Sequence, residues 1–141
     1  MGESSPVGIR RIHHVAFAHS DDTVVRSLGE VLGLACAVEE EGPGFVERMF
    51  RADSSFVQTL EATGPGVIDD FLARRGPALH HVAFEVADID RAVAWLSGEG
   101  VRLVDSTARP GGGGTRVAFI HPSAFGGLLV ELVEESRRKT A

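Results

Sequence analysis

A chain of 141 residues, 43% apolar and 24% charged, is the size of one ordinary domain and can bury a core of its own. Its net charge of −6 excludes broad nucleic-acid binding, because no basic stripe is available to neutralise phosphates. No run approaches the roughly 18 apolar residues that a membrane span needs, and the single Cys36 makes no disulfide framework, so the expected setting is the reducing cytoplasm, without a membrane or nucleic-acid partner.

Met1 to Ile12 has neither an apolar signal core nor a small-residue cleavage site and reads as a short frayed tail. The run Ile12-His13-His14-Val15-Ala16-Phe17 then reads as a strand. Its alternation puts Ile12, His14, Ala16 and Ala18 on one face, and His13, Val15 and Phe17 on the other. Past the acidic turn Asp21-Asp22, residues Val24, Val25, Leu28, Val31 and Leu32 fall at helix-face spacing, with an aspartate to cap the start and Gly33 to stop the end. Three strand-like runs follow at about 35–39, 45–51 and 55–61, punctuated by Gly42-Pro43-Gly44. The second puts Glu47 on a face with Phe45 and Met49, and the third puts Gln58 on a face with Phe56 and Leu60. Val67–Arg75 supplies one or two helical turns with Val67, Ile68, Phe71 and Leu72 on one side.

The pattern then begins again. Leu79-His80-His81-Val82-Ala83-Phe84 repeats the first strand sixty-seven positions later, so His81 is the equivalent of His14. Asp88-Ile89-Asp90 opens a second helix with Ile89, Ala92, Val93 and Leu96 on its face, and Gly100 lies sixty-seven positions after Gly33. Strand-like runs at about 101–106, 115–121 and 127–133 complete the copy, with glycines at 111–114 and 126–127 between them. The last carries Glu131 on a face with Leu129 and Val133. The expectation is one domain over 1–141, with repeat 1 at about 11–62, a linker at 63–77 and repeat 2 at about 78–135. Each repeat is a βαβββ unit too small to cover its own sheet, which predicts an α+β fold of two paired modules forming a curved mixed sheet around a cup.

Taken singly, a histidine on an apolar strand is most often a hydrogen-bonded core residue, and an inward glutamate most often meets an arginine. The joint arrangement points elsewhere. One histidine and one amide or acid from each repeat, each among apolar neighbours, suit a metal that offsets the cost of burying them. His14, Gln58, His81 and Glu131 make a borderline-hard N₂O₂ set, suited to octahedral cobalt, manganese or nickel, with zinc also accepted, and leaving two positions open. An anionic small molecule remains compatible with the net charge, through local arginines such as Arg10, Arg11, Arg48, Arg51, Arg74, Arg75, Arg109 and Arg116. The ordinary role of any one of them is a solvated surface charge.

From about Arg11 to Glu134 these residues resemble the vicinal-oxygen-chelate (glyoxalase-like) superfamily, and within it the methylmalonyl-CoA epimerases. The segments that carry the resemblance are Val57-Gln58, Phe71-Leu72-Ala73-Arg74-Arg75-Gly76 leading to Leu79–Val86, Gly113–Pro122, and Gly127–Leu132. The resemblance implies paired βαβββ modules, His14, Gln58, His81 and Glu131 as ligands of a divalent metal with cobalt first, and Glu47 as a catalytic base with Glu131 as a second. It also implies an acyl-CoA substrate with a thioester and a carboxylate flanking one carbon, epimerised through an enediolate, and a homodimer. Gly111–Gly114 either admits part of the CoA chain or is a flexible hairpin. Three rivals share the fold. A lactoylglutathione lyase would usually carry an acid where Gln58 stands, and a ring-cleaving dioxygenase would commonly use a tyrosine, of which this chain has none. A non-catalytic binder of small molecules would not need all four ligands.

Overall fold

The computed structural model describes residues 5–136, which divide into two compact units. One is His14–His81. The other joins the residues up to His13 with those from Val82 onward.

In the His14–His81 unit the strands lie in the order β2-β3-β4-β1, from β1 (Ile9–His19), β2 (Cys36–Gly42), β3 (Phe45–Ala52) and β4 (Ser55–Ala62). β1 runs parallel to β4, which an α-helical crossover between them permits, and the other pairs are antiparallel hairpins. Helix α2 (Val67–Arg75) starts after Gly66 and stops at Gly76, whose φ of 72° is a helix-ending conformation that glycine adopts without strain. Its Ile68 and Phe71 pack on Ala16, Ala18 and Leu60. The β2–β3 turn is held against the start of α2 by the approach of Gly44 to Pro65. Gly44 has φ 82°, and a Cβ there would sit 2.3 Å from the Pro65 carbonyl oxygen. Gly44→Ala is therefore expected to cost about 2 kcal/mol from backbone strain plus the clash. That corresponds to a thermal midpoint lower by about 4–8 °C, readable by circular dichroism.

The other unit orders its strands β5-β8-β7-β6, from β5 (Ala78–Val86), β6 (Arg109–Pro110), β7 (Arg116–Ile120) and β8 (Val130–Glu134). β5 and β8 are parallel over Val82–Glu85, and the rest are antiparallel. Helix α3 (Ile89–Gly98) buries Ile89, Ala92, Val93 and Leu96, the i, i+3, i+4, i+7 stripe expected of it, against Val86, Ala118, Ile120, Val130 and Leu132. Asp88 caps its first turn by accepting from the Arg91 amide. With β5, α3 and β6–β8 in chain order, and β1, the first helix and β2–β4 before them, both copies are βαβββ modules in an α+β fold.

Four expectations need correction. β1 begins at Ile9, so the anticipated frayed tail is strand from there on, while residues 1–4 of that tail lie outside the described residues. The first helix is only one α turn, α1 (Thr23–Arg26), continued by a π turn over Ser27–Val31. Its start is held by Asp21 accepting from the Thr23 amide, and Asp22 at the N-cap makes no side-chain cap bond. The run 101–106 is not a strand: it makes a lone bridge, Leu103 with Ile120, and the Phe119 amide bonds the Asp105 side chain in place of a backbone carbonyl. A side chain standing in for the main chain ends the regular ladder, and the edge strand forms later, at Arg109–Pro110. β8 starts at Val130 rather than near 127, because Gly126 and Gly127 both take positive φ and the Gly127 amide closes a turn onto Pro122. Among the described residues no helix is long and apolar enough to cross a membrane.

Candidate active site

Strand register sets the site out in rows. Across β3, β4 and β1 the facing residues are Arg51, Phe56 and His14, then Met49, Gln58 and Ala16, then Glu47, Leu60 and Ala18. These rows share one face, because side chains two apart along a strand point the same way. Gln58 therefore lies one step diagonally from His14, and Glu47 one step further along on β3. Helix α2 covers the far end of this face through Ile68 and Phe71. His81, near the end of the same unit, comes onto His14: their Nε2 atoms are 3.1 Å apart and the rings meet at 77°.

The three donors are almost fully buried, His14 and His81 at 4% exposure and Gln58 at 6%. The Gln58 Oε1 has no hydrogen-bond partner, a costly state for a buried amide oxygen unless another group takes its lone pairs. Two nitrogens bound at about 2.1 Å to one ion, at right angles, would sit about 3.0 Å apart, close to the separation seen here. An orphaned oxygen beside two facing imidazole nitrogens thus fits a divalent cation. Glu47 is half-buried on β3.

The other unit repeats the pattern. Ala83 on β5 faces Glu131 on β8, as Ala16 faces Gln58, and Phe119 flanks Glu131 from β7 as Met49 flanks Gln58. Glu131 is 7% exposed and lies with Val117, Val133 and Ala83 on the face that α3 does not cover. His81 precedes Ala83 by two, as His14 precedes Ala16. The equivalence of the two copies therefore holds in register as well as in sequence, with Gln58 and Glu131 at matching places although the offset between the copies has grown beyond sixty-seven by then.

Burial alone does not select these residues. His13 and His19 are as buried as His14, but odd numbering puts them on the opposite face of β1, where His13 meets Glu135 and His19 Nδ1 meets the Asp21 carbonyl at 2.6 Å. The arginines sort in the same way. Arg11 pairs with Glu85, and Arg109 with Asp105. Arg48 is engaged by Glu61 and Glu39; the Glu61 hydrogen bond is the main cause that raises its pKa. Arg116 forks onto Asp90 at 2.7 and 2.8 Å, holding that carboxyl below its usual range. Arg51 differs: it stacks 4.8 Å over the Phe56 ring in the row of His14, an exposed guanidinium on the site face. The sequence offers Arg51 only as one of eight candidate arginines and cannot single it out. His80 stands out there only as part of the repeated motif; its Nδ1 lies 2.8 Å from His81 Nδ1.

Comparison with known proteins agrees with this fold. Residues 12–119 match the model of the Glyoxalase/Bleomycin resistance protein/Dioxygenase superfamily. The chain is 34% identical to the uncharacterized protein YqjC of Bacillus subtilis, with 89% of this chain and 93% of that one covered. It is 31% identical to the mitochondrial methylmalonyl-CoA epimerase of Dictyostelium discoideum, covering 92% of this chain and 81% of the relative. Among solved structures, methylmalonyl-CoA epimerase from Mycobacterium tuberculosis superimposes with a TM-score of 0.87 at 33% identity, over 97% of this chain and 94% of that one. With its duplicated βαβββ modules and its buried histidine pair, the chain belongs to the Glyoxalase/Bleomycin resistance protein/Dioxygenase superfamily, and its named relatives there are methylmalonyl-CoA epimerases.

Proposed function

We propose that this protein is a metal-dependent epimerase that interconverts the C2 epimers of methylmalonyl-CoA or a close 2-substituted malonyl-CoA. The observation that carries the reading is the facing pair of His14 and His81 nitrogens beside the partnerless Gln58 oxygen. His14, Gln58, His81 and Glu131 are assigned as ligands. In support of the carboxylate, Glu131 is buried on β8 and faces Ala83 as Gln58 faces Ala16. Cobalt is proposed as the resident ion, with manganese, nickel and zinc as the others this donor set accepts.

When bound, such an ion supplies Lewis acidity toward the thioester carbonyl and carboxylate oxygens, offsetting the negative charge that develops as the C2 proton leaves. The chain's own residues do the rest. Glu47, on the same face and one row beyond Gln58, takes the C2 proton on one side of the substrate. Glu131 is assigned the return of a proton on the opposite side, since inversion needs a second acid/base group. Burial of His14, Gln58 and Glu131 excludes water, which keeps the enediolate from being quenched at random. Arg51 offers its guanidinium to the anionic substrate at the edge of the face. A single domain, a cytoplasmic location and a homodimer complete the proposal.

The test is direct. Cobalt-loaded protein incubated with one C2 epimer of methylmalonyl-CoA in D₂O is expected to give the other epimer, with deuterium at C2, by NMR. Absence of exchange with methyl- and ethylmalonyl thioesters alike, across cobalt, manganese, nickel and zinc, would overturn the reading.

A further inference from the structure

We propose that His80 is a positioning residue for the metal centre: its Nδ1 accepts the Nδ1–H of His81 and holds that imidazole with Nε2 turned toward His14. The inference rests on the metal-binding reading of His81 and goes beyond it, because His80 lies outside the ligand set.

Three imidazoles stand in a chain. His14 Nε2 lies 3.1 Å from His81 Nε2, and His81 Nδ1 lies 2.8 Å from His80 Nδ1. Each close nitrogen pair must have one donor and one acceptor, so the protons have only two consistent orders when all three rings are neutral. In one, every N–H points toward His14; in the other, every N–H points toward His80. A cation that takes the Nε2 lone pairs of both His14 and His81 replaces the proton between them, and His81 then carries its proton on Nδ1, where only donation to His80 Nδ1 is consistent. His80 must then present a bare Nδ1 and keep its own proton on Nε2. That choice fixes both the tautomer and the rotation of His81, the usual task of the group behind a ligating histidine.

The His80 ring is itself braced. Phe71 of α2 meets it edge to face, 4.8 Å between centroids at 61°, and the Arg75 guanidinium lies 5.8 Å from the Phe71 ring. Helix α2 thereby reaches the metal centre through Phe71 and His80 without supplying a ligand. This also explains why a second histidine stands beside His81, where strand alternation alone would leave His80 on the reverse face.

The experiment is a metal titration that does not involve turnover. Calorimetry with cobalt(II) chloride alone is expected to show 10–100-fold weaker binding for His80→Phe. It should show near-wild-type binding for His80→Asn, whose amide oxygen can accept from His81. Equal affinity of His80→Phe and the wild-type chain would overturn the proposal, as would equal loss in both variants, which marks a packing role. As a check that needs no variant, the ¹⁵N-labelled zinc-loaded wild-type protein is expected to show His80 protonated at Nε2 and bare at Nδ1, and a His80 protonated at Nδ1 would overturn it. Failure of the epimerase reading is distinguishable, since it would leave the metal affinities and the tautomer as predicted while no substrate exchanged.

Discussion

Glu47→Gln is expected to lower the rate of C2 hydrogen exchange by about 10³-fold, within the range that removal of a general base produces, while cobalt affinity stays within about threefold. The separation follows from register. Glu47 sits opposite Leu60, one row beyond Gln58, on the same face as His14 and Gln58 but outside the proposed ligand set. Gln matches Glu in volume and keeps one hydrogen-bonding oxygen, so the β3–β4 ladder is undisturbed. What disappears is the ability to hold a proton, and about 10³ in rate corresponds to about 4 kcal/mol of transition-state stabilisation. The outcome also divides the two carboxylates. Glu131→Gln should weaken metal binding and slow exchange together, because that residue is assigned both tasks. If Glu47→Gln lost the metal as well, Glu47 would have to be a ligand and the base would have to be sought elsewhere. If it exchanged at the wild-type rate, the acid/base assignment would fall. Both variants are read by deuterium incorporation and by calorimetry on the same protein batch.

The parts of the fold that rest on periodicity are legible in the sequence. Ile89, Ala92, Val93 and Leu96 mark the buried stripe of α3, and Val67–Arg75 gives α2 with the bounds it has, because glycines stand at both ends. The repeat makes His14 and His81 equivalent, and the registers Ala16–Gln58 and Ala83–Glu131 bear this out. Departures occur where a local hydrogen bond competes with the pattern. Val101 and its neighbours have strand composition, but the Val101 amide is spent on the Leu96 carbonyl at the end of α3. Asp105 then replaces the main chain as the acceptor for Phe119. The first helix has the right spacing, yet after Arg26 its bonds lengthen into a π turn, as the Leu32 amide reaching back to Ser27 shows. No spacing rule reports that choice.

The candidate site divides along the same line. Strand alternation can say which residues share a face, so it separates His14 from His13 and places Gln58 and Glu47 together. It cannot say how a ring is rotated about its side-chain bonds. The His81–His80 contact depends on that rotation and on which nitrogen carries the proton, so the sequence shows His80 only as a neighbour of the proposed ligand His81. The stacking of Arg51 on Phe56 is likewise a matter of side-chain conformation, although its row beside His14 follows once β3, β4 and β1 are in register.

Loading the metal-free chain with cobalt at about 100 times its Kd is expected to stabilise the fold by about 2.7 kcal/mol, raising the thermal midpoint by about 5–10 °C for a chain of this size. Chelation should reverse that shift and abolish C2 exchange together. The coupling is expected because the proposed ligands lie on separate stretches of sequence, β1, β4, β5 and β8, which the unfolded chain does not hold in place. The unfolded chain therefore has no comparable site, and binding free energy becomes folding free energy. His14→Ala and His81→Ala each remove one of the facing nitrogens, and in both the cobalt-dependent shift should vanish along with exchange. Gln58→Ala should behave less severely, with the shift reduced but present, since a neutral amide oxygen is the weakest donor of the set. In Glu47→Gln the full shift should persist without exchange, so one variant keeps the metal and loses the chemistry while two others lose both. A metal-free chain with an unchanged midpoint and an undiminished exchange rate would show that the buried histidines serve only the core, and the epimerase would then have to work by acid/base groups alone.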